Sequence, residues 1–325
     1  MRYGKIEGLA KPVSRLVQGT MMLSMAKKED GFALLDAVME QGCNTFDLAW
    51  LYNGGDAERV MGEWMQARGN REQVVIVTKG ACPNKDRHRF TPFDVAADMH
   101  DSLARLKTDY IDVYMLHRDN PALPVGPMVE CLNQHRREGR ILVMGGSNWT
   151  HERIAEANDY ARKVCFAQGF KVHGFQVSSP HLSLAEQVVE PWPGTVSISG
   201  ARGEAARRWY AEQKMPLFVW SSLARGFFSG RVTRAGFESK TVELERSTVA
   251  AYCHPVNFDR LERAEKMAAE KGVTVPQIAM AWVMSQPLDV YALVGCMSGD
   301  EMKANVAAAE IELTPAEMAW LESGG

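Results

Sequence analysis

No stretch of about 18 consecutive apolar residues occurs anywhere in the chain, so no segment is expected to span a membrane. The opening MRYGKIEGLAKPVSRL scatters its charges and holds no apolar core segment, so no secretory signal is expected there and a cytoplasmic location is. An excess of positive charge is also missing. Lys+Arg number 37 against 40 Asp+Glu, a formal net charge of -3, which leaves no basic field for nucleic acid or an anionic membrane surface. The six cysteines, Cys43, Cys82, Cys131, Cys165, Cys253 and Cys296, include no C-x-x-C pair; they read as reduced thiols packing as small hydrophobes. No G-x-G-x-x-G occurs, so a Rossmann dinucleotide fold has no fingerprint to rest on. Linkers, low-complexity segments and short repeats are lacking as well, while 46% hydrophobic content over 325 residues is ample for a large core.

What is present is a rhythm of apolar, β-rich runs alternating with amphipathic helical stretches. The runs are RLVQGTM (15–21), CNTFDLA (43–49), VVIVTK (74–79), IDVYMLH (111–117), ILVMGGSN (141–148), VHGFQVSS (172–179), PLFVWSS (216–222) and VYALVGC (290–296). Capping chemistry marks several helix starts, as at Thr91-Pro92 and Thr150, and Gly42, Gly69, Gly139 and Gly272 suit left-handed C-terminal caps. Eight β/α units in this length predict an α/β fold, a TIM (β/α)8 barrel of about 250 residues plus additions. We expect one barrel domain over 1–325, with an N-terminal hairpin and a C-terminal helical tail outside the eight units.

In such a barrel the C-terminal strand ends carry the chemistry, and here they are polar. The second strand is expected to end on Asp47, just before Tyr52; Lys79 ends the third run, His117 the fourth, Ser147 and Asn148 the fifth, and Gln176 lies in the sixth. A tyrosine, unperturbed pKa about 10, is a poor acid near neutrality unless a cation stabilises its anion. Lys79 can supply that cation, and Asp47 the counter-ion that a buried ammonium needs. A neutral His117 can donate to a carbonyl oxygen. The set is a proton donor beside an electrophilic pocket, with no metal cage and no reductant of its own. A Schiff-base aldolase or isomerase, with Lys79 as nucleophile, is an alternative.

DLAWLY, VTKG, YMLHRD, the SNW after the fifth run, GFQVSS, VWSSLARGFFSG and the tail VGCMSGDEMKANVAAAEIELTPAEM together resemble the aldo-keto reductase superfamily over nearly the whole chain. The resemblance implies a TIM barrel binding NADP(H), with NAD(H) as the alternative, and reversible hydride transfer to a small-molecule aldehyde or ketone. Asp47, Tyr52, Lys79 and His117 would be catalytic, with Tyr52 as general acid. It further implies that Ser147, Asn148 and Gln176 bind the nicotinamide amide, that Trp220 stacks on the ring, and that Ser221, Leu223, Arg225 and Gly226 close over the pyrophosphate. Gly295, Cys296, Ser298, Glu301 and Asn305 would receive the adenosine end, and Gly19, Thr20, Met21 and Asp47 would approach the ribose. Glu301 stands where some branches carry an arginine, which favours a ribose hydroxyl over a 2′-phosphate; Asn53 and Ser222 replace a usual glycine and proline. Trp50, Arg118 and Trp149, with Met21 to Leu23 and the insert around Trp192, are expected to wall a substrate pocket for a sugar or an aromatic carbonyl. A redox-sensing, cofactor-binding regulatory subunit of the same superfamily is the rival reading; it would tolerate loss of Tyr52.

Overall fold

The computed structural model of the chain describes residues 1–168 and 171–324. Two short strands, β1 (Tyr3–Gly4) and β2 (Val13–Ser14), pair antiparallel as the expected hairpin. Eight further strands follow: β3 (Leu16–Gly19), β4 (Thr45–Asp47), β5 (Val75–Gly80), β6 (Ile111–Leu116), β7 (Ile141–Ser147), β8 (Val177–Ser179), β9 (Leu217–Val219) and β10 (Val290–Val294). They form a closed barrel in the order β10-β3-β4-β5-β6-β7-β8-β9, and every registered barrel pair is parallel. The (β/α)8 barrel with its hairpin and tail is therefore the fold. Parallel strands are covered on both faces, which is why β5 and β6 are buried at every position and read as near-continuous apolar runs.

Packing divides the chain into two compact units, Met1–Ser179 with Gly295–Gly299, and Pro180–Val294 with the segment from Asp300 onward. In the first, the hairpin is fastened to the N-terminal strand ends. Lys11 Nζ bonds the Val74 carbonyl at 2.7 Å and, with Arg71, neutralises the buried Asp112 of β6 at 2.6 and 2.8 Å. The helix Asp56–Arg68 packs on Pro92–Leu106 so closely that a Cβ at Gly62 would collide with the Arg105 carbonyl oxygen. Thr91 caps the latter helix through Asp94 N at 3.2 Å, as its sequence signal predicts.

The sixth run is shorter than its sequence suggests. Val172 to Phe175 do not join the barrel, because side-chain amides satisfy their backbone, His173 N donating to Asn133 Oδ1 at 2.8 Å and Phe175 N to Asn158 Oδ1 at 2.6 Å; Gln176 N already reaches the Met144 carbonyl of β7 at 2.9 Å, just before β8 begins. In the second unit β9 and β10 pair from Leu217 opposite Val290. The tail helix Pro315–Ser323 starts at a Thr314–Glu317 capping box, and the buried Arg260 ties its end down through the Glu322 carbonyl at 3.0 Å. Five cysteines form no disulfide; the side chain of Cys165 lies outside the described residues. Among the described residues no helix is long and apolar enough to cross a membrane, and no His/Cys/Asp/Glu group has the makings of a metal site.

Candidate active site

The first unit carries six consecutive barrel strands, β3 to β8, and their C-terminal ends bring the sequence-predicted residues together. Asp47 is the last residue of β4, Lys79 lies near the end of β5 and His117 follows β6. After β4 the chain stays hydrogen-bonded to β5, Leu48 N to Val77 O at 2.7 Å and Trp50 N to Lys79 O at 2.8 Å. It then turns sharply through a short 3-10 turn, Tyr52–Gly55, in which Asn53, Gly54 and Gly55 have φ of 51°, 65° and 89°. Two glycines and an asparagine are the residue types that tolerate this left-handed run. Arg105 holds the turn from below, bonding the Trp50 carbonyl at 2.8 Å and packing where a Gly55 Cβ would lie.

Lys79 Nζ donates to Asp47 Oδ1 at 2.6 Å and to the Leu48 carbonyl at 2.8 Å, and Lys79 and Asp47 are each only 2% exposed. The same carboxylate accepts the Tyr52 hydroxyl. Lys79 Nζ lies 5.2 Å from the Tyr52 ring centroid, and the Tyr52 and His117 rings meet edge to face at 5.9 Å. Burial drives the His117 imidazole well below its usual range, helped by the Lys79 and Arg118 charges, so the ring is neutral; its Nδ1 is buried without a protein partner. Burial lowers Lys79 and raises Asp47, each opposed by the other.

One expectation is overturned here. Lys79 was to lower the tyrosine pKa, yet burial and then Asp47 push the phenol well above its usual range, and the cation that opposes this is Arg118. The reason is the 2.6 Å pair: Asp47 absorbs the Lys79 charge and also binds the phenol directly. Tyr52 is therefore held protonated, as an acid. Schiff-base chemistry at Lys79 has no opening either, since a 2% exposed ammonium with two oxygen partners is not presented to a carbonyl.

At the neighbouring strand ends, Thr20 Oγ1 donates to the Asp47 carbonyl at 2.8 Å, Gly19 pairs with Asp47, and Met21 is 58% exposed beside them. Gln18 Nε2 bonds the Cys296 carbonyl at 3.0 Å, and Gly295 faces Met22, so the β3 turn adjoins the 295–296 segment. Ser147 ends β7, and Asn148 follows in a left-handed conformation, φ 58°, with its Nδ2 on Ser147 Oγ at 3.1 Å.

Gln176 does not join them. It precedes β8, and its amide bonds the Glu7 carbonyl of the hairpin segment at 3.1 Å and Arg136 at 2.5 Å, on the N-terminal side of the barrel. The polar group at the end of β8 is Ser179, opposite Ser147 in register, with a buried Oγ that has no partner. Nothing in the sequence pattern distinguished Ser179; the strand end had to be located first. Trp149 is likewise no pocket wall: it is 0% exposed and packs edge to face on Phe175 at 4.9 Å. Trp50 is half-buried between the Arg89 and Arg105 guanidinium groups and donates to Asp101 at 3.0 Å. Arg118 is half-buried and donates to the His117 carbonyl at 2.8 Å. Cys82, absent from the sequence expectations, acts electrostatically on Tyr52, and burial raises its thiol.

Of the remaining predicted residues, all but Ser298 lie in the second unit. Trp220 packs at a tilt against the buried His181 at 4.9 Å and Trp192 at 6.0 Å, with Trp192 under the Arg225 guanidinium at 4.2 Å. His181 in turn is fixed between Ser197 Oγ at 2.8 Å and the Tyr252 hydroxyl at 3.2 Å, and burial lowers its pKa to about 3. The turn at 221–226 is strained: Ser221, Ala224 and Arg225 have φ of 53°, 49° and 53°, with Gly226 at 91° and Leu223 between them. Arg225 pairs with Glu245 and with Thr248 Oγ1. Ser298 is exposed just before the helix Gly299–Ala309, where Asp300 and Glu301 occupy the first turn and Asn305 bonds the Glu301 carbonyl at 2.9 Å.

The model of the Aldo/keto reductase family matches residues 15–178 and 203–324. The protein named tas in Escherichia coli K12 is 26% identical, covering 99% of this chain and 97% of its own. An aryl-alcohol dehydrogenase of Pestalotiopsis microspora is 25% identical over 91% of this chain and 73% of its own length. Among solved structures, the glycerol dehydrogenase of Gluconobacter oxydans superposes with a TM-score of 0.77 at 19% identity, covering 99% of this chain and 96% of its own, a likeness of fold.

Proposed function

The chain belongs to the aldo/keto reductase family, and from that premise we propose that it is a nicotinamide-dependent carbonyl reductase with Tyr52 as the proton donor. The observation that carries the reading is the convergence of Asp47, Tyr52, Lys79 and His117 at adjacent strand ends, with the phenol protonated and the imidazole neutral. The rival regulatory reading does not need this set.

The residues fit the coenzyme where they can be tested: Ser179 Oγ is a buried, unpartnered hydroxyl beside Ser147 and Asn148, a polar rim suited to a carboxamide. When bound, the nicotinamide supplies the hydride. The protein's part is to hold the carbonyl oxygen between the Tyr52 hydroxyl and the His117 ring, two uncharged donors aimed at an oxygen on which negative charge develops. Tyr52 leaves Asp47 to donate its proton there. The phenolate that results faces Lys79 and Arg118, which limits its cost.

NADP(H) follows from the family resemblance. A specific observation favours NAD(H) instead: Asp300 and Glu301 in the first turn of Gly299–Ala309 repel a 2′-phosphate and accept ribose hydroxyls. The similarity to an aryl-alcohol dehydrogenase makes aromatic aldehydes the first substrates to offer. Sugar stacking on Trp149 drops out, because that ring is inside the core. Incubation with C4-deuterated reduced coenzyme and an aromatic aldehyde, read by mass spectrometry, tests the proposal. Deuterium on the carbinol carbon is expected; alcohol formed without it, or no alcohol from a broad carbonyl panel, would overturn it.

A further inference from the structure

Just past the turn that carries Tyr52, the helix Asp56–Arg68 buries a carboxylate that the chemistry above does not use. Glu58 is 0% exposed; its Oε1 accepts the Thr78 hydroxyl at 2.7 Å and its Oε2 accepts Arg105 Nη1 at 3.2 Å. Thr78 directly precedes Lys79 in β5 and, by strand alternation, points to the opposite face, so the carboxylate grips that strand from behind. The same Arg105 Nη1 donates to the Trp50 carbonyl at 2.8 Å, and a Cβ at Gly55 would lie 2.5 Å from it. One guanidinium thus meets both ends of the stretch 50–55. Tyr52 lies between those ends, its ring 5.2 Å from Lys79 Nζ and 5.9 Å from the His117 ring.

Stability is a poor reason for such an arrangement. Exchanging a buried ion pair for apolar groups of like volume is often neutral or stabilising, whereas a planar guanidinium with several fixed donors sets direction as well as distance. The turn needs that direction, because Asn53, Gly54 and Gly55 hold left-handed φ, and glycine leaves such a conformation easily. Catalysis needs it too: displacing a reacting group by about 1 Å can cost roughly a hundredfold in rate.

Resting on the reductase reading above, we propose that Arg105 is a positioning residue: anchored to β5 through Glu58, it fixes the turn 50–55 so that the Tyr52 hydroxyl is aimed at the carbonyl oxygen that His117 also meets. Arg105 touches neither substrate nor coenzyme in this role and acts only through the phenol.

The test compares wild type with Arg105→Lys, which keeps a cation for Glu58 and a donor for the Trp50 carbonyl, with Arg105→Met, and with Glu58→Gln/Arg105→Met, which leaves no buried charge behind should the single loss unfold the chain. Each is made in the wild-type and the Tyr52→Phe background, and kcat for an aromatic aldehyde is measured at saturating coenzyme. Loss of the guanidinium should lower kcat roughly tenfold to a hundredfold with the coenzyme dissociation constant unchanged, and Arg105→Lys should restore most of it. In the Tyr52→Phe background the same replacements should change kcat by less than about twofold, because no hydroxyl is left to aim. A merely structural role would lower kcat by the same factor in both backgrounds; that result, or wild-type kcat in Glu58→Gln/Arg105→Met, overturns the proposal while leaving the reductase intact. A second measurement does not depend on turnover: with Tyr52 replaced by 3-fluorotyrosine, fluorine NMR should give one narrow line in the otherwise wild-type protein and a broadened or split line in Glu58→Gln/Arg105→Met. If no carbonyl compound is reduced, the reductase reading fails by itself; a broadened line would still support the clamp on Tyr52, and an unchanged line would overturn that as well.

Discussion

Replacing Lys79 by methionine leaves Asp47 at 2% exposure with no ammonium 2.6 Å away. Removing one member of a buried ion pair costs about 3–5 kcal/mol, because the survivor stays desolvated and uncompensated. Removing both is a different perturbation. In Asp47→Leu/Lys79→Met no charge is left behind, and the remaining deficit is roughly 2 kcal/mol, about 1 for the Leu48 carbonyl, which loses its 2.8 Å donor, and about 1 for the Tyr52 hydroxyl, which loses its acceptor. The double variant should therefore be about 1–3 kcal/mol more stable than Lys79→Met alone. The deficit of the single variant also depends on pH. Without the ammonium, burial alone sets Asp47, whose folded pKa is then raised above the unfolded carboxylate at about 4. A raised carboxyl contributes its stability below the unfolded pKa and loses it as pH rises through the folded value, so Lys79→Met should be markedly weaker at pH 8 than at pH 5. Urea midpoints at both pH values measure this, with carbonyl reduction assayed alongside. Both variants should lose reduction, and the double variant should be the more stable of the two while inactive, separating chemistry from folding. A Lys79→Met variant as stable as wild type at pH 8, or a double variant no better than the single one, would refute the reasoning.

Ser179→Ala should weaken coenzyme binding roughly threefold to tenfold by fluorescence titration, the range for one neutral hydrogen bond, whereas Gln176→Ala should leave it unchanged; the reverse result would restore Gln176 to the site. With Tyr52 held well above its usual pKa and His117 well below, neither group titrates near neutrality. Under conditions where chemistry limits the rate, kcat/KM for reduction should thus be flat from roughly pH 7 to 9, and an apparent pKa inside that window would contradict the assignment. Gly62→Ala drives a Cβ into the Arg105 carbonyl at the helix contact and should cost about 1–3 kcal/mol or more in a denaturation curve; a neutral result would show that the helices can part.

The barrel was readable because each strand is short, apolar and separated by an amphipathic helix, and the active end was readable because the C-terminal ends of those runs carry Asp47, Lys79, His117, Ser147 and Asn148. Asp47, Lys79 and His117 fall at the strand ends that the runs predict. What the sequence concealed is whatever depends on a distance. Gln176 and Ser179 lie in one run, and only the Asn133 and Asn158 side chains, remote in sequence, decide that the strand begins at Val177. Trp149 follows a strand end as a pocket wall would, yet folds back onto Phe175. Lys79 has the right charge to tune a phenol, but the share taken by Asp47 shows only in the 2.6 Å contact.

The most direct test of the central claim is loss of reduced-nicotinamide absorbance with an aromatic aldehyde, run with NADH and NADPH on wild type and Tyr52→Phe. The account predicts turnover by wild type that falls by about two or more orders of magnitude when the hydroxyl is removed, with coenzyme binding kept. Turnover that survives in Tyr52→Phe would contradict it.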